Sequence, residues 1–271
     1  MNAETLPVIL EPKALEANLA RDDIFVVDLC KSEIYAQFHV PGAVHLDYAS
    51  IIAADGQAMG LLPDTDKLSQ VFSELGLRPD HHVVAYDDEG GGKACRLLWT
   101  LDAIGHENFS LLNGGLHAWA GEQFQVDAQL VEVQSSEYPV SLDGHACAET
   151  DYILERLEAA DTSILDCRTI EEFQGTQVRA ANGGHIPGAV NLDWVLAMDQ
   201  QQNLRLKPAD ELTQMYADIG ITPDKEIIVY CHTHHRSSHT YIVLKSLGFK
   251  KLRGYPGSWS DWGNKPDMPI E

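Results

Sequence analysis

Val83-Val84-Ala85-Tyr86-Asp87-Asp88-Glu89 and Ile227-Ile228-Val229-Tyr230-Cys231-His232-Thr233 are one stretch written twice. Each is an apolar run of strand length that ends in tyrosine and passes straight into a polar loop. That pattern reads as a buried strand running to the edge of a sheet. Outward from it, three further anchors recur in the same order. Val26-Val27-Asp28 matches Ile164-Leu165-Asp166, and His39-Val40-Pro41-Gly42-Ala43 matches His185-Ile186-Pro187-Gly188-Ala189. Asn113-Gly114 through Trp119 is set against Arg253-Gly254 through Trp259. The offset stays near 140 residues, far beyond a solenoid period. The chain is a duplicated domain, and its copies differ where chemistry could occur: Asp87 in one, Cys231 in the other.

Each copy alternates short apolar runs with amphipathic stretches, the pattern of an α/β fold with a mostly parallel central sheet flanked by helices. In the first copy the reading is helix over Pro12 to Leu19, strand over Ile24 to Asp28, helix over Lys67 to Leu75, strand over His82 to Tyr86 and helix over Leu97 to Ile104. In the second, a helix starts at Thr150, strands cover Ser163 to Asp166 and Glu226 to Tyr230, and helices cover Asp210 to Ile219 and Ser238 to Leu247. The stretch from Phe124 to His145 lacks helical periodicity and carries Ser135-Ser136 and Pro139, so it reads as a linker. The expected domains are therefore 1–125 and 146–271, joined by 126–145. Tyr35 to His39 spans four positions, whereas Phe173 to His185 spans twelve, so a glycine-rich polar insertion belongs to the Cys231 copy alone.

Composition limits the partners. With 44% apolar and 22% charged residues the chain has the make-up of a soluble globular protein. Its net charge of −22, from 19 basic and 41 acidic residues, argues against nucleic acid or an anionic membrane as a partner. No window resembles a signal peptide or a membrane span. The five cysteines, Cys30, Cys95, Cys147, Cys167 and Cys231, are odd in number and form no C-x-x-C pair, which fits a reducing compartment, the cytoplasm by default.

Cys231 stands at the carboxyl end of a strand and just before a helix, the edge where open α/β sheets bind ligands. The segment Cys231-His232-Thr233-His234-His235-Arg236-Ser237-Ser238 bends back to a helix start, which aims N–H groups and the positive end of the helix dipole at one point. A thiolate is stabilised there, and Arg236 and any protonated imidazole of His232, His234 or His235 act in the same direction. This suits a nucleophilic sulfur meeting an anionic substrate. Arg168, two residues beyond Asp166 on a neighbouring strand, looks like a clamp for that anion, and its counterpart in the first copy is Cys30. Asp87-Asp88-Glu89 puts carboxylates where the second copy has cations, so the first copy is expected to be catalytically silent.

These residues resemble the tandem-domain rhodaneses, the thiosulfate and mercaptopyruvate sulfurtransferases, over nearly the whole chain. Tyr35-x-x-x-His39-Val-Pro41-Gly42-Ala43 is similar to the amino-terminal signature of that family. Tyr255-Pro-Gly257-Ser-Trp259-Ser-Asp261-Trp262 is similar to its carboxy-terminal one, with aspartate where glutamate is more usual. The Cys231 loop resembles the six-residue catalytic loop of the bacterial thiosulfate enzymes. The resemblance implies two tandem rhodanese-like domains and ping-pong sulfur transfer through a Cys231 persulfide. Thiosulfate would be the donor, and cyanide, a thiol or a protein sulfur acceptor the recipient. It implies no cofactor and no metal. Backbone N–H groups of His232 through Ser237 would cradle the persulfide, while Arg168 and Arg236 hold the sulfonate oxygens. His232 and Thr233 replace the arginine and lysine of the animal enzymes, and the loop differs too from the small neutral Cys-Gly-Ser-Gly of the mercaptopyruvate type.

Other readings of the same residues are blander. Cys30, Cys95, Cys147 and Cys167 read as structural thiols, and His39, His185, Asp28 and Asp166, present in both copies, as structural links. Arg168 has an ion-pair reading, and Trp194 could wall the site. The clustered histidines would diverge on a tight loop, which disfavours a metal. A cysteine phosphatase needs Cys-x5-Arg, whereas Cys231 to Arg236 is Cys-x4-Arg and forms a smaller ring. A mercaptopyruvate sulfurtransferase and a non-catalytic binding or regulatory module remain the alternatives.

Overall fold

A computed structural model describes residues 6–142 and 144–271; residues 1–5 and Asp143, the latter within the expected linker, lie outside the described part. Along the first half run β1 (Ile9–Leu10), α1 (Pro12–Glu16), β2 (Ile24–Asp28), α2 (Ser32–Tyr35), β3 (Val44–His45), β4 (Ala53–Asp55), β5 (Ala58–Leu61), α3 (Thr65–Glu74), β6 (His82–Tyr86), α4 (Gly92–Ala103), β7 (Phe109–Leu112) and α5 (Gly115–Gly121). The second half has α6 (Thr150–Leu154), β8 (Thr162–Asp166), α7 (Ile170–Phe173), β9 (Val190–Asn191), β10 (Met198–Asp199), β11 (Arg205–Leu206), α8 (Ala209–Ala217), β12 (Glu226–Tyr230), α9 (Arg236–Ser246), β13 (Leu252–Gly254) and α10 (Ser258–Trp262).

Both central sheets are parallel, in the order β1-β7-β6-β2-β3 and β13-β12-β8-β9. The strands read from apolar runs, β2, β6 and β12, fall where the sequence puts them, because a strand covered on both faces must be apolar throughout. All of β6 is buried. Helix starts are less legible. α4 begins at Gly92, five residues before the first apolar residue of its expected span, because Gly91 caps it in the left-handed region. α9 begins at Arg236 rather than Ser238, which places Arg236 and Ser237 in its first turn.

The chain forms two compact units that do not follow the repeat strictly. One contains the described chain to Ile51, the stretch from Pro63 through the connecting segment, and Asp199–Leu206. The other contains Ile52–Leu62, the chain from Gly144 to Met198, and Lys207–Glu271. The β4–β5 hairpin therefore belongs to the unit that carries Cys231. The connecting segment packs along the first unit: Asp127 pairs with His39, Ser136 N–H donates to the Ser73 carbonyl, and Tyr138 is buried beside Phe72 and His106.

The duplicated anchors are brackets of the fold. Tyr86 Oη donates to Asp28 and accepts the Val40 N–H at 3.0 Å, while Tyr230 Oη accepts the Ile186 N–H at 3.2 Å. His39 Nδ1 lies 2.7 Å from the Tyr35 carbonyl and His185 Nδ1 2.9 Å from that of Phe173, each imidazole stacked on that residue's ring. The fourth anchor needs a correction of three residues. Leu116 N–H donates to the Asp87 carbonyl and Trp259 N–H to that of Cys231, both at 3.0 Å, so Trp259 corresponds to Leu116 and Trp262 to Trp119.

Tyr86→Phe leaves the Val40 N–H and Asp28 Oδ2 without their buried partner, while Asp28 Oδ1 keeps the Cys30 N–H. Denaturant unfolding should show a loss of about 1–3 kcal/mol.

Candidate active site

β12 ends at Tyr230, and the next residue, Cys231, is fully buried at the floor of a loop that closes on the first turn of α9. The first amides of a helix have no partner within it. Here the N–H groups of Ser237 and Thr233, with the Ser237 hydroxyl, donate to the Cys231 sulfur. Burial is the largest influence on the thiol and pushes its pKa up; the Arg236 guanidinium and these donors together outweigh it and hold the pKa below the ordinary thiol value. The other buried thiols go the opposite way, since burial drives Cys30, Cys95 and Cys167 upward, and the Thr240 and Arg236 contributions at Cys167 do not offset it. Position alone does not make the nucleophile: Cys167 N–H bonds the Tyr230 carbonyl on the adjacent strand, yet its thiol stays protonated.

The loop is braced from three sides. His234 is buried with φ 53°, and its Nδ1 lies 2.7 Å from Ser237 Oγ. Ser258 Oγ accepts the N–H groups of Cys231 and His234 at 3.2 and 3.1 Å. The β4–β5 hairpin closes the third side. Ser260 Oγ accepts Met59 N–H at 2.9 Å, and a β-carbon on Gly60 would come within 2.1 Å of the Thr233 carbonyl oxygen.

The expected site residues separate into those gathered at Cys231 and those that are not. Arg236, Thr233, His234 and Ser237 are gathered there. The expected ring of amides from His232 through Ser237 is narrower than the sequence suggests, because the His234 N–H is directed to Ser258. His232 lies on the loop, but burial pulls its imidazole pKa down, with Arg236 adding to the effect, so it does not supply the expected positive charge. His235 caps α9 and meets the edge of Trp194, which also meets buried His239, an imidazole that burial drives down to about 3.

Arg168 requires a correction. It is buried, its Nε donates to both Asp166 oxygens at 3.0 and 2.9 Å, and its Nη2 bonds Asp166 at 2.6 Å and the Gly184 carbonyl at 2.7 Å. The guanidinium also lies over the Trp259 ring. A cation so engaged is part of the core and not a free clamp. Arg236 is tied as well: its Nη1 and Nη2 grip the Glu172 carboxylate at 2.5 and 3.0 Å.

Glu172 and Arg179 escaped the sequence reading. Thr169-x-x-Glu172 is a capping box at the start of α7, a legible signal. It places a buried carboxylate beside Arg236, and the two guanidinium contacts hold Glu172 below the usual carboxylate range against its burial. Arg179 comes from the insertion peculiar to this half; its Nε is 3.4 Å from Glu172 and its side chain is 54% exposed. One carboxylate is thus shared by two cations, Arg236 and Arg179.

The Asp87 loop has a ring of donors of its own, already filled, which shares one position with that around Cys231. Asp87 Oδ1 accepts the N–H groups of Glu89 and Gly91 at 2.9 and 2.8 Å, and Oδ2 accepts that of Ala94 at 2.9 Å. Glu89 stands two residues after Asp87, as Thr233 stands two after Cys231. The Asp87 carboxyl group itself fills the ring, so these donors are already taken.

The sequence pattern of the rhodanese-like domain matches this chain twice, over residues 11–122 and 149–265. A thiosulfate sulfurtransferase of Azotobacter vinelandii is 44% identical over 267 residues, covering 98% of each chain. One from Pseudomonas aeruginosa is 43% identical, covering 98% of this chain and 97% of that one. The anaerobic ergothioneine biosynthesis enzyme of Chlorobium limicola, solved with trimethyl histidine, superimposes with a TM-score of 0.86 over 97% of this chain and 70% of that one. At 20% identity that likeness concerns the fold alone.

Replacing Arg236 by Gln should raise the pH midpoint of Cys231 alkylation by about 1–3 units, measured as rate against pH. In the native protein the folded pKa lies below the unfolded one. The thiolate therefore adds stability above the unfolded value, and this is lost as pH falls through the folded value. Gly60→Ala, which presses on the Thr233 carbonyl, should slow alkylation about tenfold or more at fixed pH.

Proposed function

Because the chain belongs to the rhodanese family, we propose that it is a thiosulfate sulfurtransferase with Cys231 as its sulfur carrier. The observation that carries this reading is the geometry: Cys231 is buried between the end of β12 and the first turn of α9, with Arg236 in that turn, and these surroundings hold its thiol below the ordinary value. The names of the relatives at 44% and 43% identity support thiosulfate as donor.

The Cys231 thiolate attacks the outer sulfur of thiosulfate, the S–S bond of the donor breaks with its electron pair, and sulfite leaves. One sulfur remains as a Cys231 persulfide, whose charge the Thr233 and Ser237 amides and the Ser237 hydroxyl stabilise. An acceptor such as cyanide or a thiol attacks the terminal sulfur and releases the thiolate. Arg236 and Arg179, which share Glu172, attract the donor and stabilise departing sulfite. Arg179, exposed and carried by the insertion, takes the donor role first expected of Arg168. Among the described residues no helix is long and apolar enough to cross a membrane. The five free thiols fit a reducing compartment, and the cytoplasm is the proposed location.

Intact-protein mass after brief exposure to thiosulfate, and separately to mercaptopyruvate, tests this. A gain of one sulfur from thiosulfate is expected in the native protein and none in Cys231→Ala, while Ser in place of Cys30, Cys95, Cys147 or Cys167 leaves most activity. A faster gain from mercaptopyruvate would reassign the donor. No gain from either would remove the enzyme reading in favour of a binding module.

A further inference from the structure

Two residues near Cys231 hold backbone conformations that their counterparts in the other half leave to glycine. His234 has φ 53° where Gly90 has 93°, and Ser258 has φ 49° where Gly115 has 54°. The correspondence follows from the shared bonds of Trp259 to the Cys231 carbonyl and of Leu116 to that of Asp87. A β-carbon is strained in this region, so glycine would be the easier residue at both positions. Ser258 is fully buried, and its hydroxyl is used to capacity. It donates to the Tyr255 carbonyl at 2.7 Å and accepts the amides of Cys231 and His234 at 3.2 and 3.1 Å.

Those two bonds take the Cys231 and His234 amides for Ser258 Oγ. With the Cys231 and His234 amides taken, the Thr233 and Ser237 amides face the sulfur. The His234 bond also holds the left-handed turn that sets its imidazole Nδ1 2.7 Å from Ser237 Oγ, which orients the hydroxyl that donates to Cys231.

We propose that Ser258 is a positioning residue for sulfur transfer, which draws off the Cys231 and His234 amides and so aims the remaining donors of the loop at the Cys231 sulfur. It touches neither the donor nor the reacting atoms. The inference rests on Cys231 being the sulfur carrier. Ser258 is neutral, and the charged and titratable groups around the loop, His232 on it, Arg236 on α9, Glu172 on α7, Arg179 on the insertion, Asp166 at the end of β8, Cys167 and Arg168 after it and Asp193 after β9, are left in place when it is changed. A shift in the Cys231 titration would therefore come from donor geometry.

Ser258→Gly removes the hydroxyl and suits the backbone, as Gly115 does; Ser258→Ala removes the hydroxyl and keeps the strain. Both should raise the pH midpoint of Cys231 alkylation and slow persulfide formation from thiosulfate about tenfold, the scale of a hydrogen bond to a charged group. A Ser258→Gly protein with the native midpoint and loading rate would overturn the proposal. Amide hydrogen exchange in the native protein gives a second measurement that needs no variant: Cys231 and His234 should be protected, and free exchange at either would also overturn it. Alkylation needs no sulfur donor. A native protein that takes up no sulfur therefore counts against the sulfurtransferase reading, while an unshifted midpoint counts against Ser258.

Discussion

The site depends on one constraint: a buried parallel strand ends, and the chain must turn at once into a helix whose first amides have no partners. Both halves solve this with a ring of N–H groups, and a ring of donors in a buried place requires something negative at its centre. In one half the Asp87 carboxyl group occupies that place, held by three N–H groups against a burial that pushes its pKa up. In the other the Cys231 sulfur occupies it, with its pKa held below the ordinary thiol value.

Charge around the ring is arranged with similar economy. Burying Arg236 next to Cys231 would be costly without a carboxylate, and Glu172 provides it. Arg179 reaches the same carboxylate from the insertion, so Glu172 is divided between two guanidinium groups. Arg168 follows the opposite logic: its guanidinium is matched by Asp166 and covered by Trp259, so its charge stays within the core.

The loop geometry is held from outside the loop as well. Ser258 and the β4–β5 hairpin press on opposite parts of it, one through hydrogen bonds and one through a close approach possible only at Gly60. Both lie far from Cys231 in sequence.

The repeat, the parallel strands and the place of Cys231 between a strand end and a helix start were legible in the sequence, because a buried strand must be apolar and the two copies differ at the residue that follows it. The structural character of His39, His185, Asp28 and Asp166 was equally legible from their presence in both halves. Three things were decided only by tertiary structure. Arg168 could be a clamp or an ion pair until its distance to Asp166 was known. The neutrality of His232 comes from burial, which no local pattern reports. The membership of β4–β5 in the Cys231 unit, and the bonds of Ser258, join residues distant in the chain. Sequence periodicity records which face is apolar; it does not record which distant polar group completes a buried one.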